Sequence, residues 1–397
     1  MPFAVYVLGL AVFAQGTSEF MLSGLLSSIA GDLHVSLAAA GLLTSAFAVG
    51  MVAGAPLTAL AGRTWPRRRA LLLFLGVFVA VHVVGALTSS YGVLLATRVV
   101  GALANAGFWA VALVTALALA GPHRRARATA VVVGGVTVAC VVGVPAGALL
   151  GELWGWRAAF WAVALVSVPA AVALLVAVPG GRPDGAPQAG ARSELRALAR
   201  PRLLLTLLVM ALVQGATFCT FSYLEPLVTR VTGFGAGWVP VVLALFGVGS
   251  FAGVTLAGRL ADARPDAVIG LGMTALAAGW AALALTAGHP VAALTLVLLQ
   301  GALAFGTGTA LITRVFHLAP DAPTMAGSFA TAAFNVGAAT GPWLGGLALG
   351  AGLGFRAPVW VSALLMCLAL AGTAALSVSS DAVRRTLSAR RRPAPER

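Results

Sequence analysis

Two stretches decide the fold. Gly151-Glu152-Leu153-Trp154-Gly155-Trp156-Arg157-Ala158-Ala159-Phe160-Trp161 recurs 199 residues later as Gly350-Ala351-Gly352-Leu353-Gly354-Phe355-Arg356-Ala357-Pro358-Val359-Trp360. Five of the eleven positions are identical, and Trp156 is replaced by another aromatic, Phe355. The Arg and Trp matches carry the weight, because Gly and Ala are abundant throughout. The same shift sets Phe47-Ala48-Val49-Gly50-Met51-Val52-Ala53-Gly54 on Phe246-Gly247-Val248-Gly249-Ser250-Phe251-Ala252-Gly253, with five of eight identical. A shift of 200 sets Gly101-Ala102-Leu103-Ala104 on Gly301-Ala302-Leu303-Ala304. One offset serving distant segments indicates a duplicated unit.

Composition says what the unit is. Of 397 residues, 60% are hydrophobic and 9% charged, and the mean hydropathy is +0.99. A soluble domain carries about 25% charged residues. An ordinary soluble enzyme, a disordered chain and a disulfide scaffold are therefore excluded. Apolar runs near 4–29, 37–61, 70–88, 92–119, 128–150 and 157–178 precede a break, and runs near 203–224, 237–257, 267–287, 291–313, 325–349 and 358–378 follow it. Each is long enough for a crossing of about 20 residues. The expected fold is all-α and polytopic: twelve transmembrane helices in two pseudo-symmetric six-helix bundles, 1–178 and 203–378. Residues 179–202, with four Pro, four Gly and five Arg, read as a cytoplasmic linker. Residues 379–397 read as a basic cytoplasmic tail that frays on the inner leaflet.

The formal net charge of +14 comes from 25 basic residues, all arginine. Twenty-one lie within 63–69, 124–127, 182–202, 259–264, 314 and 384–397, while Arg157, Arg230 and Arg356 stand on the alternate loops and Arg98 inside an apolar run. This is the positive-inside pattern. It puts both termini in the cytoplasm and replaces the nucleic-acid reading that such basicity otherwise invites. The first run lacks a basic flank and reads as a retained helix, not a signal peptide. Cys140, Cys219 and Cys367 sit in apolar runs and read as packing residues.

The layout resembles the major facilitator superfamily over nearly the whole chain. Within it, Gly16-Thr17-Ser18-Glu19-Phe20-Met21 resembles the bacterial drug and sugar efflux branch, as does Gly62-Arg63-Thr64-Trp65-Pro66-Arg67-Arg68 between the second and third runs. Together with Arg98-Val99-Val100-Gly101-Ala102-Leu103-Ala104-Asn105-Ala106-Gly107-Phe108 and Leu311-Ile312-Thr313-Arg314-Val315, the chain is most similar to actinobacterial chloramphenicol exporters. Two departures stand out. The family's Asp-Arg pair after the second helix is here Gly62-Arg63, without the acid. The repeat copy, Gly258-Arg259-Leu260-Ala261-Asp262, keeps one, which shifts the weight of the cytoplasmic latch to Asp262, with Arg63 as the other expected gating residue. Gly101-Ala102 stands where the family has Gln-Gly.

Glu19 is the only acid well inside a run. A carboxylate at bilayer depth is costly, and a functional role is its default reading. Arg98 lies about seven residues into the fourth run and Glu19 about eleven from the end of the first, a difference of roughly one turn. The two are placed to pair directly or through water. The resemblance implies a proton-coupling role for Arg98. Asn105 and Trp109 follow on its face, and with Phe108 they form a candidate cavity wall. In the second half, Gln214, Thr217, Phe218, Phe221 and Glu225 form a stripe, joined by Gln300 and Asn335. Uncharged amides and aromatics suit a neutral ligand. Glu225 reads as a solvated mouth residue, and His82 as a satisfied packing histidine with proton shuttling as the second reading.

Glycines carry the gating argument: Gly143, Gly147 and Gly151 with Pro145, and Gly337, Gly341 and Gly345 with Pro342, besides Gly50/Gly54 and Gly249/Gly253. Such faces permit close helix approach in lipid. The resemblance implies that the fifth helix packs on the eighth and the second on the eleventh, across the halves, and that Gly143–Gly147 marks an antiporter. The expected function is proton-driven efflux of a small neutral antibiotic, chloramphenicol foremost, from the bacterial inner membrane by a monomer without cofactor. Efflux of sugars, nucleosides or other metabolites is the alternative. A membrane-embedded enzyme needs clustered acids or a nucleophile pair; here the acids are scattered. A channel needs a charged ring or filter sequence, and none is evident.

Overall fold

The computed structural model describes residues 1–61, 65–178, 201–260, 265–319 and 323–390. The linker assigned to 179–202 lies almost wholly outside the described residues. So do Arg63 and Asp262, the two latch residues.

Among the described residues, twelve long helices follow one another. We number them α1 (Phe3–Phe20, a 3₁₀ turn Met21–Gly24, then Leu26–Asp32), α2 (Leu37–Ala61), α3 (Arg67–Leu87), α4 (Tyr91–Ala120), α5 (Arg125–Val138, a π turn Ala139–Gly143, then Val144–Trp154) and α6 (Trp156–Ala177). The second half holds α7 (Pro201–Ser222, then Leu224–Arg230), α8 (Val239–Leu260), α9 (Pro265–Thr286), α10 (Pro290–Leu318), α11 (Pro323–Gly350) and α12 (Ala357–Arg390). Eleven of them are long and apolar enough, over described residues, to cross a bilayer. The twelfth, α11, has 28 residues. In hydrocarbon each backbone group must be satisfied within the segment, which is why the chain is helical wherever it is apolar. Hydroxyls obey the same demand: Thr17 donates to the Phe13 carbonyl at 2.9 Å and Thr217 to the Val213 carbonyl at 2.8 Å, each one turn back.

Two local features depart from the expected runs. The first and seventh runs are interrupted, at Met21–Gly24 and at Tyr223. The reason at α1 is steric: a Cβ at Gly24 would meet the Ala148 and Leu243 side chains at 2.6 and 2.8 Å, so the chain turns where three helices converge. The helix at the end of the chain continues to Arg390, so 379–390 is helical where fraying was expected.

The duplication is visible in packing. Gly50 lies against Val99 and Ala102 of α4, and Gly249 against Leu298 and Ala302 of α10. Gly155 and Gly354, 199 apart, hold positive φ of 82° and 81° before α6 and α12. Arg157 then donates to the Thr88 carbonyl at the end of α3, at 2.9 Å. Arg356 donates to the Ala284 and Leu285 carbonyls at the end of α9, each at 3.2 Å. Each arginine thus caps the C-terminal carbonyls of the equivalent helix. The apolar core divides accordingly into one cluster per half. Phe20, Ala48, Cys140, Val144 and Ala148 of the first half join the second half's cluster at the interface.

Candidate functional site

The buried polar centre lies in the first half, where α1, α3 and α4 meet. Ser18 sits in the last turn before α1 breaks, a position whose carbonyls are short of helical partners. Arg98 of α4 supplies the donors: one terminal nitrogen donates to Ser18 Oγ and the other to the Ser18 carbonyl, both at 2.9 Å. The guanidinium carbon also stands 4.3 Å from the centre of the Phe47 ring of α2, a cation–π contact. Arg98 is 2% exposed. Ser18 Oγ lies 2.6 Å from His82 Nε2, and His82 Nδ1 donates to the Phe78 carbonyl at 2.7 Å.

Glu19 follows Ser18 directly but points elsewhere. It retains partial exposure, whereas Ser18 and Phe20 are buried. No ion pair within 4.0 Å joins it to Arg98. The direct pair is therefore absent in this conformation: Arg98 is held by the serine next to the glutamate. Two groups that complete this centre, Ser18 and Phe47, are not singled out by the sequence, nor is the buried Gln15 of α1. Gln15 precedes Glu19 by one turn, and that spacing was the available signal. Gln15 and Asn105 are both fully buried, and neither amide has a partner among the described residues.

Several expected cavity residues face elsewhere. Phe108 is fully buried in the first half's core with Leu71, Leu75 and Phe78, so it does not line a cavity. Trp109 packs at the edge of that core. Gln300 turns to α9, donating to the Leu276 carbonyl at 3.1 Å, with its Oε1 against Gly279. Asn335 donates to the Thr331 carbonyl of its own helix at 3.0 Å. Gln214 lies beside Gly337 of α11. Phe218 and Phe221 do stand between the halves. Phe20 meets Phe218 at 5.5 Å, Phe218 meets Phe221 at 5.8 Å, Phe221 meets Phe246 at 4.6 Å and Phe246 meets Phe305 at 6.2 Å.

The glycine stripes also need reassignment. Gly143, Gly147 and Gly151 face Thr17, Met21 and Leu25 of α1, not α8. Gly337, Gly341 and Gly345 face α7 through Ala211, Gly215 and Cys219. Gly50 and Gly54 face α4, and Gly249 and Gly253 face α10. These particular glycines bind each bundle together, while the expected pairs across the halves, α5 on α8 and α2 on α11, do form through other positions, such as Gly247 against Cys140 and Val141. A helix presents its small face to its tightest neighbour, and sequence spacing does not name that neighbour. Pro145 sits in the first turn after the π turn. Pro342 lends its carbonyl to the Tyr223 hydroxyl at 2.8 Å.

Among the described residues, further contacts between the halves sit at the end away from the termini. Tyr223 packs there with Leu26, Ala30 and Ala40. Gly346 of α11 lies against Ala38 of α2. Glu225 Oε2 accepts the Ser27 backbone N–H at 3.0 Å, capping the short helix that follows the break in α1. Glu225 is thus a bridge across the halves, not a solvated mouth residue. Burial pushes its carboxyl above the ordinary range, partly offset by the Ser27 hydrogen bond. On the same end, Arg157 holds Asp32 at 2.6 Å. That hydrogen bond is the main reason the Asp32 carboxyl lies below its ordinary value. An apolar recess of about 680 Å³ lies far from these groups, between Pro2–Ala4, Leu119 and Val168–Ala177. It has no polar side chain with which to orient a ligand. Among the described residues no cluster of His, Cys, Asp and Glu fits a metal ion. Cys140 and Cys219 are buried free thiols, and Cys367 is exposed.

A twelve-helix, twice-repeated bundle with one acid and one arginine at its centre is a membrane transporter rather than an enzyme. Residues 8–327 match the family model of the Major Facilitator Superfamily, and the chain belongs to that family. It is 56% identical over 372 residues to a protein of Streptomyces lividans named chloramphenicol resistance protein, covering 93% of this chain and 95% of that one. It is 34% identical over 368 residues to the inner membrane transport protein YdhP of Escherichia coli K12, covering 93% and 94%. A solved bacterial homologue of the human lysosomal transporter Spinster, inward-facing and unoccupied, superposes with a TM-score of 0.78 at 19% identity, covering 93% and 95%.

Proposed function

We propose that this chain exports a small neutral antibiotic, with chloramphenicol as the foremost candidate, in exchange for protons across the bacterial inner membrane. The observation that carries the coupling is Glu19: the one acid deep in the bundle, partly open, beside a buried arginine that does not neutralise it directly. A group in that position can take a proton from one side and give it to the other. The drug assignment is supported by the Streptomyces lividans relative and its name. The uncharged aromatic surface around Phe20, Phe218 and Phe221 suits a neutral amphiphile.

The arginine distribution supports a cytoplasmic placement of both termini. On that orientation the end closed by Tyr223 and the Glu225–Ser27 bridge faces the periplasm. Rocking of the two bundles about their interface would open the Glu225–Ser27 bridge and release drug outward. The transporter acts as a monomer and holds no cofactor; the proton gradient supplies the work.

Expression in a pump-deficient host tests the reading. The panel should hold phenicols, sugars, nucleosides and cationic dyes. Resistance confined to phenicols and abolished by an uncoupler is expected. Resistance to cationic dyes alone would overturn the substrate class, and uncoupler-insensitive resistance would overturn the coupling.

A further inference from the structure

We propose that His82 is a positioning residue for the coupling centre: through Ser18 it holds the Arg98 guanidinium away from the Glu19 carboxylate. The proposal rests on the coupling role given to Glu19 above.

The hydrogen-bond directions follow from donor and acceptor capacity. The Phe78 carbonyl only accepts, so His82 Nδ1 carries a hydrogen. Arg98 only donates, so one lone pair of Ser18 Oγ is taken. With a neutral ring, Nε2 is unprotonated and takes the serine's single hydrogen, 2.6 Å away. The chain therefore runs one way, from Arg98 to Ser18 to His82 to the Phe78 carbonyl. An imidazolium would reverse the Ser18–His82 bond and set a second buried cation beside Arg98, which is the costly alternative. The aromatic surroundings agree with a neutral ring. His82 lies 4.1 Å from the Phe78 ring and 5.7 Å from the Phe160 ring, and is 2% exposed.

The consequence concerns Arg98. When Glu19 carries a proton, Arg98 is a buried cation without a counter-ion, a costly state unless dipoles hold it. Ser18 supplies two acceptors and Phe47 a ring face, and none of these changes charge. Fixed acceptors keep the guanidinium in one place whatever the state of Glu19. Without them, the guanidinium is free to swing onto the carboxylate and close the proton site. His82 matters because it fixes the serine rotamer that leaves a lone pair facing Arg98.

The test uses the purified protein in proteoliposomes with labelled chloramphenicol, read in two modes. Counterflow without a proton gradient reports drug passage, and uphill accumulation under an imposed gradient reports coupling. His82→Leu is expected to lower uphill accumulation about tenfold while counterflow stays within about twofold. His82→Gln, whose amide oxygen reaches the Nε2 position, is expected to restore uphill accumulation to within about threefold of the native protein. Nitrogen NMR of histidine-labelled protein at neutral pH, with the His82 signals assigned by their loss in His82→Gln, should show the neutral Nδ1–H tautomer. Native-like uphill accumulation in His82→Leu, or equal loss of both modes in His82→Leu and His82→Gln, overturns the positioning role. An imidazolium or Nε2–H tautomer overturns it independently of any drug. A native protein with no chloramphenicol counterflow refutes the substrate reading instead, and leaves the tautomer measurement to decide this one.

Discussion

Replacing Glu225 separates two contributions to closure of the end away from the termini. Its carboxylate accepts the Ser27 N–H across the halves at 3.0 Å, which favours closure. Burial of the charge opposes closure, and it is the larger influence on the carboxyl. Glu225→Ala removes the acceptor. A net hydrogen bond contributes about 1 kcal/mol, about fivefold in the closed-to-open ratio, and because the buried charge goes with the acceptor the fall should stay below that. Glu225→Gln keeps an oxygen for Ser27 and carries no charge, so closure should be preserved or strengthened. The raised carboxyl also fixes the sign of the pH effect. The closed form binds the proton more tightly than a hydrated open form. In the native protein closure is therefore fully favoured below the ordinary value of 4.5, and that advantage is lost as pH rises through the raised value. Electron–electron distances between spin labels at Ser36 and Leu353, both exposed and on opposite halves, report the populations. If Glu225→Gln opens as far as Glu225→Ala, or closure in the native protein strengthens with rising pH, the reasoning fails.

Other substitutions test other contacts. Arg157→Gln should lower the thermal unfolding temperature more than Asp32→Asn, because Arg157 also caps the Thr88 carbonyl and lies 4.4 Å over Trp156; the reverse order would contradict the capping role. The Asp32 carboxyl is held down, so the pair's contribution is present above the ordinary value of 3.8 and fades as pH falls through the depressed one, which unfolding curves at stepped pH would reveal. Gly249→Val drives a side chain into the Leu298 carbonyl of α10 and should cost about 1–3 kcal/mol; an unchanged unfolding temperature would refute that packing. Phe108→Leu should reduce stability with an unchanged drug KM, and Phe218→Leu should raise KM with stability kept, since only Phe218 stands between the halves.

Much of the fold was legible. The runs of apolar residues and the 199-residue offset gave twelve helices and two equivalent bundles, because lipid leaves a backbone few other choices. Arg157 and Arg356 fell in equivalent places because Gly155 and Gly354 repeat the same turn. The breaks in α1 and α7 were not legible: they arise where helices from both halves converge, and that depends on neighbours distant in sequence. The site divides the same way. Glu19 and Arg98 stood out through the cost of burying charge, yet their geometry runs through Ser18, whose short hydroxyl gives no signal in a chain rich in small residues. Phe108 and Gln300 turn to neighbouring helices, because helix spacing does not tell which face meets the cavity and which meets a neighbour.

The central claim is that drug leaves in exchange for a proton carried by Glu19. Proteoliposomes loaded with a pH-sensitive dye measure it directly, comparing the native protein with Glu19→Gln as chloramphenicol is added. The native protein should move protons against the drug, and uphill accumulation should follow the imposed gradient. Glu19→Gln should retain drug counterflow while drug-dependent proton movement disappears. Proton movement by Glu19→Gln at the native rate would contradict the account and place the carrier at another group.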